Sequence, residues 1–335
     1  MAAMLRQLNF VWKGMSESTK AGHGRARARF LPEDDRHAME GKTVLVTGAN
    51  AGLGRAAATA LAEKRATVLC VCRDAERGRK AVDEIIRDTG NERVSLRVCD
   101  IGDLESVGRL AEELKGTQLH VLVNNAGVLL NKREETATGL EASFAINTLG
   151  TYAVTERLLP HMEAAARDSN GAFVPRCITV TSGGMYSAPL EPSDFDPPAA
   201  RAGRSFDGVK LYAMHKRQQV ALTEHWDATY GASKGVRFVC MHPGWSDTPG
   251  VAKSLPAFRT QMEKSLRSPE EGADTIVWLA CVPFDRLEGG EFYLDRAIAR
   301  KHLPLSFGTT AHAPPAVSTL VTSLQSMLSC GGKSS

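Results

Sequence analysis

Tyr212 and Lys216 stand four positions apart in Tyr212-Ala213-Met214-His215-Lys216. On a helix that spacing sets an ammonium and a phenol on one face. A free phenol titrates near 10, a poor match to proton exchange at neutral pH. A neighbouring positive charge stabilises the phenolate and draws its pKa toward the operating range, so the pair suits general acid–base work. Taken singly these residues say little. Tyr-x-x-x-Lys is common on surface helices, Ser182 alone is a strand-end turn, and Asn147 alone is a helix-packing polar group.

A second constellation lies nearer the start, in Thr47-Gly48-Ala49-Asn50-Ala51-Gly52-Leu53-Gly54. Its glycines let the chain turn tightly and bring backbone against a pyrophosphate. The helix that begins there offers unpaired N–H groups and the positive end of its dipole. A glycine triplet in such a turn is a modest sign alone, strengthened by its place ahead of the first helix of a βαβ run.

The elements that must position these groups follow a regular rhythm from Gly41 onward. Apolar runs at Thr43-Val44-Leu45-Val46, Thr67-Val68-Leu69-Cys70-Val71, Val94-Ser95-Leu96-Arg97-Val98 and His120-Val121-Leu122-Val123 predict strands. Helices are predicted over Leu53 to Lys64, Asp74 to Asp88, Asp103 to Lys115 and Gly139 to Met162, and further strands over Cys177 to Thr181 and Val236 to Met241. Short apolar runs separated by helices predict an α/β fold with a doubly wound parallel sheet, Rossmann-like, whose ligand sits at the carboxyl ends of the strands. Ala188 to Gly208, with Pro189, Pro192, Pro197 and Pro198, reads as a long functional loop.

The G-x-x-x-G-x-G spacing resembles the short-chain dehydrogenase/reductase family rather than other dinucleotide folds. The resemblance covers 41–304 and rests on six motifs in order. After the glycine loop come Asn124-Asn125-Ala126-Gly127, Asn147 in Phe144-Ala145-Ile146-Asn147, Ser182, the Tyr212/Lys216 pair, and Pro243-Gly244 followed by Thr248. It implies a carbonyl–alcohol oxidoreductase using NADP(H) or NAD(H), with Tyr212 as acid/base. It further implies that Lys216 holds the nicotinamide ribose, Ser182 binds the substrate oxygen with Tyr212, and Asn147 supports a water relay. Cofactor contacts are implied for Thr47, Gly48, Asn50, Gly52, Leu53, Gly54, Asn125, Ala126, Gly127, Tyr212, Lys216, Pro243 and Gly244. Thr248 is expected at the carboxamide, with Ser246 as the competing hydroxyl. Ser182-Gly183-Gly184-Met185, Lys216-Arg217-Gln218-Gln219-Val220, His242-Pro243-Gly244-Trp245 and His302-Leu303-Pro304 are similar to one narrower group within the family.

Cofactor choice is read at the end of the second strand. NAD-selective members carry a carboxylate there for the ribose 2′-hydroxyl; this strand ends Cys70-Val71-Cys72-Arg73. A guanidinium suits a 2′-phosphate in charge and geometry, so NADP(H) is expected, while Asp74 keeps NAD(H) as the lesser choice. Asp100 is expected against the adenine. Tyr212 follows Ser182 by 30 positions, a gap longer than many family members have. Similar insertions occur in retinol-dehydrogenase-like members, so this loop and the stretch after Thr248 are expected to cover a lipophilic carbonyl compound.

Composition limits the remaining classes. With 43% hydrophobic and 24% charged residues and a net charge of +3, the chain lacks the bulk cationic field that nucleic-acid binding relies on. The seven cysteines lack zinc-site or paired spacing, so no metal and a reducing intracellular compartment are expected. Cys70, Cys72, Cys99, Cys177 and Cys240 read as small hydrophobes. Residues 1–40 form an N-terminal extension, 41–308 one domain, and 309–335 a weakly ordered tail in which Val317 to Met327 allows a short helix. The apolar residues of 1–16 suit a surface helix, a peripheral membrane anchor or a transit segment, and Arg25, Arg27 and Arg29 a solvated linker. The resemblance implies a homodimer pairing through Gly139–Met162 and Leu211–Tyr230. A regulatory or scaffold protein of the same fold, binding cofactor with little turnover, is the alternative reading.

Overall fold

The computed structural model describes residues 2–31, 39–169, 171–193, 206–304 and 309–330. Six strands, β1 (Thr43–Thr47), β2 (Thr67–Cys72), β3 (Val94–Val98), β4 (Val121–Asn124), β5 (Arg176–Val180) and β6 (Arg237–Met241), lie parallel in one sheet. β7 (Phe292–Leu294) extends it in parallel and β8 (Ala297–Ile298) closes the edge antiparallel, in the order 3-2-1-4-5-6-7-8. The order reverses between β1 and β4, which leaves a crevice at their carboxyl ends. β7 and β8 escaped the sequence reading because three and two residues are too few to show a period.

Helices cover both faces. α3 (Gly52–Glu63), α4 (Ala75–Thr89) and α10 (Pro269–Cys281) pack Leu61, Ile85 and Leu279 against one face. α5 (Leu104–Glu113), α6 (Thr151–Asp168) and α7 (Gly208–Trp226) pack Leu110, Leu158 and Trp226 against the other. Local signals set their starts. Asp74 caps α4 through the Arg77 N–H, Asp103 caps α5 through the Glu105 N–H, and Ser268 with Glu271 forms a capping box on α10. The five cysteines read as hydrophobes are buried.

Three expectations need correction. The helix expected from Gly139 starts after Glu141, because Gly139 sits at φ +77° and the Glu141 carboxylate caps the chain by accepting from the Ser143 and Phe144 N–H groups. It is then interrupted by a π-helical turn, Ala145–Gly150, before α6. The tail expected to be weakly ordered contains α11 (Pro314–Cys330), whose Leu320, Val321 and Leu324 are buried with Tyr152, Leu158 and Trp226. Its apolar stripe has a face to cover, which composition alone does not reveal. α11 therefore lies on α6 and α7, the helices through which pairing with a second copy was expected.

The stretch read as a linker is helical as well. α1 (Ala2–Lys13), a π-helical turn at Gly14–Ser18 and α2 (Lys20–Arg27) form an arm, with Arg25, Arg27 and Arg29 on its exposed side. Arg267, 1% exposed, fastens the arm: its guanidinium donates to the Glu17, Ser18 and Thr19 carbonyls and pairs with Asp295 at 2.6 and 2.9 Å. Among the described residues no helix is long and apolar enough to cross a membrane. Most of the proline-rich loop, 194–205, lies outside the described residues, as does 305–308.

Candidate active site

The carboxyl ends of the central strands open into one cleft of about 710 Å³. Its floor is the glycine loop. Gly48 and Gly52 take φ of +68° and +54°, the left-handed region that favours glycine. A Cβ on Gly54 would lie 2.3 Å from the Gly48 carbonyl oxygen and 2.4 Å from Asn125 Nδ2. Thr47 knits the loop to β4: its hydroxyl accepts from the Asn125 and Ala126 N–H groups at 3.0 Å each and donates to the Val123 carbonyl. Asn125 Nδ2 returns a bond to the Thr47 carbonyl at 2.8 Å. α3 starts at Ala51, which has no side-chain cap, so its first N–H groups have no side-chain competitor for an anion. This cradle fits a dinucleotide pyrophosphate.

Gly48, Asn50, Gly52, Leu53, Arg73, Asp100, Asn125, Ala126, Gly127, Ser182, Tyr212, Lys216, Pro243, Gly244 and Thr248 all line the cleft. Thr47 and Gly54 are buried beneath the loop and shape it without forming its wall. Thr248 packs against Gly52 and caps α8 (Pro249–Ser254) through the Val251 N–H, whereas Ser246 is buried and donates to the Pro243 carbonyl. Arg73 stands exposed at one end of the cleft, 3.8 Å from Asp100. Asp74 also lines this end, and its carboxylate caps α4 and pairs with Arg77 at 3.1 Å; the Arg77 N–H foremost holds it below the usual carboxylate range. Arg77 also lines this end, a second guanidinium that the sequence reading missed because it lies past the strand end.

At the other end of the cleft, Ser182 and Tyr212 line the same wall, close enough for the serine hydroxyl to favour the phenolate. Ser182 lies two residues past β5 and accepts from the Gly184 N–H at 3.1 Å. The Lys216 ammonium lies 5.3 Å from the centre of the Tyr212 ring and donates to the Val180 carbonyl at 2.8 Å and to Gln219 Oε1 at 3.0 Å. Burial pushes its pKa down to about 7. The expectation that this charge draws the phenol toward neutrality needs correction for the protein as it stands. Burial pushes Tyr212 up to about 12, and the Ser182 hydroxyl opposes the rise. Asn147 is fully buried behind Lys216, its side-chain amide exchanging bonds with Val128 at 2.8 and 2.7 Å. His215 packs against Phe144, and His242 Nε2 meets Ser18 Oγ of the arm at 3.1 Å.

One wall of the cleft is apolar. Phe10 from α1, Trp245, Leu255, and Phe258 of α9 (Pro256–Met262) form it. Phe10 and Phe258 both pack edge-on against Trp245. The Trp245 N–H donates to the Ser18 carbonyl at 2.7 Å, so the arm joins this wall. Spacing alone could not reveal that, since 235 positions separate Phe10 from Trp245.

Residues 42–187 match the family model described as short chain dehydrogenase. The chain is 42% identical over 97% of its length to Dehydrogenase/reductase SDR family member 12 of Bos taurus, covering 98% of that protein. It is 32% identical to Polyprenol dehydrogenase of Mus musculus, covering 77% of each. A solved short chain dehydrogenase/reductase family protein superposes with a TM-score of 0.57 at 28% identity, over 76% of this chain and 95% of that one. The narrower group suggested by the four sequence runs is the one to which the bovine relative belongs. The chain is therefore a member of the short-chain dehydrogenase/reductase family, an NAD(P)-dependent oxidoreductase acting between alcohol and carbonyl groups.

Proposed function

We propose that this enzyme uses NADP(H) to interconvert a lipophilic carbonyl compound and its alcohol, with Tyr212 as acid/base. The convergence of Ser182, Tyr212 and Lys216 on the glycine-lined cleft carries this reading. Ser182 and Tyr212 together hold the substrate oxygen, and Tyr212 gives or takes its proton. Lys216 serves the nicotinamide ribose, and Pro243, Gly244 and Thr248 border the carboxamide. When bound, the cofactor supplies or accepts the hydride at the carbon. Asn147 contributes from behind, as a positioning residue.

NADP(H) preference is supported by Arg73 and Arg77 at the adenosine end and by the engagement of Asp74 in a helix cap. Lipophilic substrates are supported by the wall of Phe10, Trp245, Leu255 and Phe258, and by the similarity to Polyprenol dehydrogenase. Peripheral membrane contact through residues 1–16 belongs to the same proposal. Met4, Leu8, Val11, Trp12 and Met15 recur at helical spacing and are 46–69% exposed on the outer side of the arm. A panel of short and long aldehydes and ketones with NADPH, with and without anionic vesicles, tests the reading. Turnover confined to long apolar carbonyls is expected, and turnover of small polar ones alone would overturn it.

A further inference from the structure

The group behind Lys216 departs from a water-filled relay. The π-helical turn Ala145–Gly150 carries the Asn147 carbonyl, which accepts from Thr151 Oγ1 at 2.9 Å and from Gln219 Nε2 at 2.7 Å. Both lone pairs of that oxygen are thus occupied. The other end of the Gln219 carboxamide accepts from Lys216 Nζ at 3.0 Å. Its orientation is not interchangeable: the carbonyl of Asn147 demands a donor and the ammonium demands an acceptor. Gln219 is 1% exposed and Lys216 3% exposed, so water does not compete freely for these bonds.

We propose that Gln219 is a positioning residue for the reaction: its carboxamide takes the place of a relay water between Asn147 and Lys216, holds the ammonium in its charged form, and closes the proton path behind it. The inference rests on the reading of Lys216 as the lysine of the active site. Lys216 carries three N–H bonds. Val180 O and Gln219 Oε1 take two, which directs the third toward the cleft. An amide does not pass protons as a water chain does, so Tyr212 is resupplied from the cleft side.

Removing one of two acceptors from a buried ammonium disfavours its charge, and a carboxylate in the same place favours it. The titratable groups facing the ammonium are Tyr212 and His215, both on α7. β5 presents the Val180 carbonyl, the loop after β4 presents Gly127, and the π-helical turn presents Asn147 through Gln219; none of these titrates.

The test is an NMR titration of the cofactor-free full chain labelled with [13Cε, 15Nζ]-lysine, using Lys216→Met to identify the signal. Gln219→Met is expected to lower the Lys216 midpoint by about one pH unit, the worth of one charge-assisted bond, and Gln219→Glu to raise it. Between the lowered and the wild-type midpoints NADPH affinity should fall in the first variant, and just above the wild-type midpoint it should hold only in the second. Midpoints that do not move, or that move the same way in both variants, would overturn the proposal. Should Gln219→Met not fold, the upward shift in Gln219→Glu decides alone. No substrate enters the titration, so opposite shifts beside a silent carbonyl panel would sink the enzymatic reading and leave standing only the hold of Gln219 on the ammonium.

Discussion

Replacing Arg73 by Ala removes the guanidinium nearest the expected 2′-phosphate and leaves the glycine cradle intact. Its side chain is 65% exposed, so its attraction to a phosphate belongs to the water-like regime. Two unit charges at about 4 Å then interact by about 1 kcal/mol, and a phosphate monoester carries about 1.5 to 2 negative charges at neutral pH. Asp100, 3.8 Å from Arg73, offsets part of this. A net preference of about 1.4 kcal/mol remains, equal to about tenfold. Fluorescence titration of NADPH and NADH against both proteins measures it. The wild type should bind NADPH at least about tenfold tighter, and the variant should lose most of that difference with NADH affinity unchanged. The preference should shrink in high salt, as expected for an exposed pair. Equal affinities in the wild type, or a ratio preserved in the variant, would refute the reasoning.

Gly54→Ala drives a Cβ to within 2.3 Å of the Gly48 carbonyl oxygen, so the loop must shift; the same titration should show at least about tenfold weaker NADPH binding with the far-UV spectrum retained. Arg267→Met leaves the 9%-exposed Asp295 carboxylate unpaired and the arm unfastened; urea unfolding should show a loss of about 3–5 kcal/mol, and a loss under about 1 kcal/mol would contradict the role given to Arg267. Burial pushes His120 down to about 4 and His215 and His242 down to about 3. Their folded pKa values lie below the unfolded value, so the unfolded state takes up protons first and stability falls as pH drops from about 6.5 toward 4. Each histidine contributes a slope of up to about 1.4 kcal/mol per pH unit in that window. Denaturation at pH 7 and pH 5 should show His215→Leu to be less acid-sensitive than the wild type.

The sheet and the cleft floor were legible because they rest on local rules. Buried parallel strands read as Val- and Leu-rich runs, Asp74 and Asp103 announce their helices, and the glycine loop must follow β1 to meet a helix start. Ser182, Tyr212 and Lys216 could be placed because each follows a strand or shares a helix face. What stayed hidden depends on partners distant in the chain. Phe10 becomes a cleft wall only because Arg267 fastens the arm, and Tail residues Leu320 and Leu324 are core only because α6 and α7 offer them a surface. Gln219 lay inside a quoted motif, yet its role needs the π-helical turn that presents the Asn147 carbonyl. The upward push of burial on Tyr212 was also out of reach, since i, i+4 spacing does not tell how deep a helix face lies.

The most direct test follows deuterium from 4,4-dideuterated NADPH into the alcohol formed from an apolar carbonyl substrate, comparing the wild type with Tyr212→Phe. Label on the carbinol carbon is expected with the wild type, with the rate falling about 10²- to 10⁴-fold in the variant while NADPH still binds. An undiminished rate in Tyr212→Phe, or product without deuterium at that carbon, would contradict hydride transfer assisted by this tyrosine.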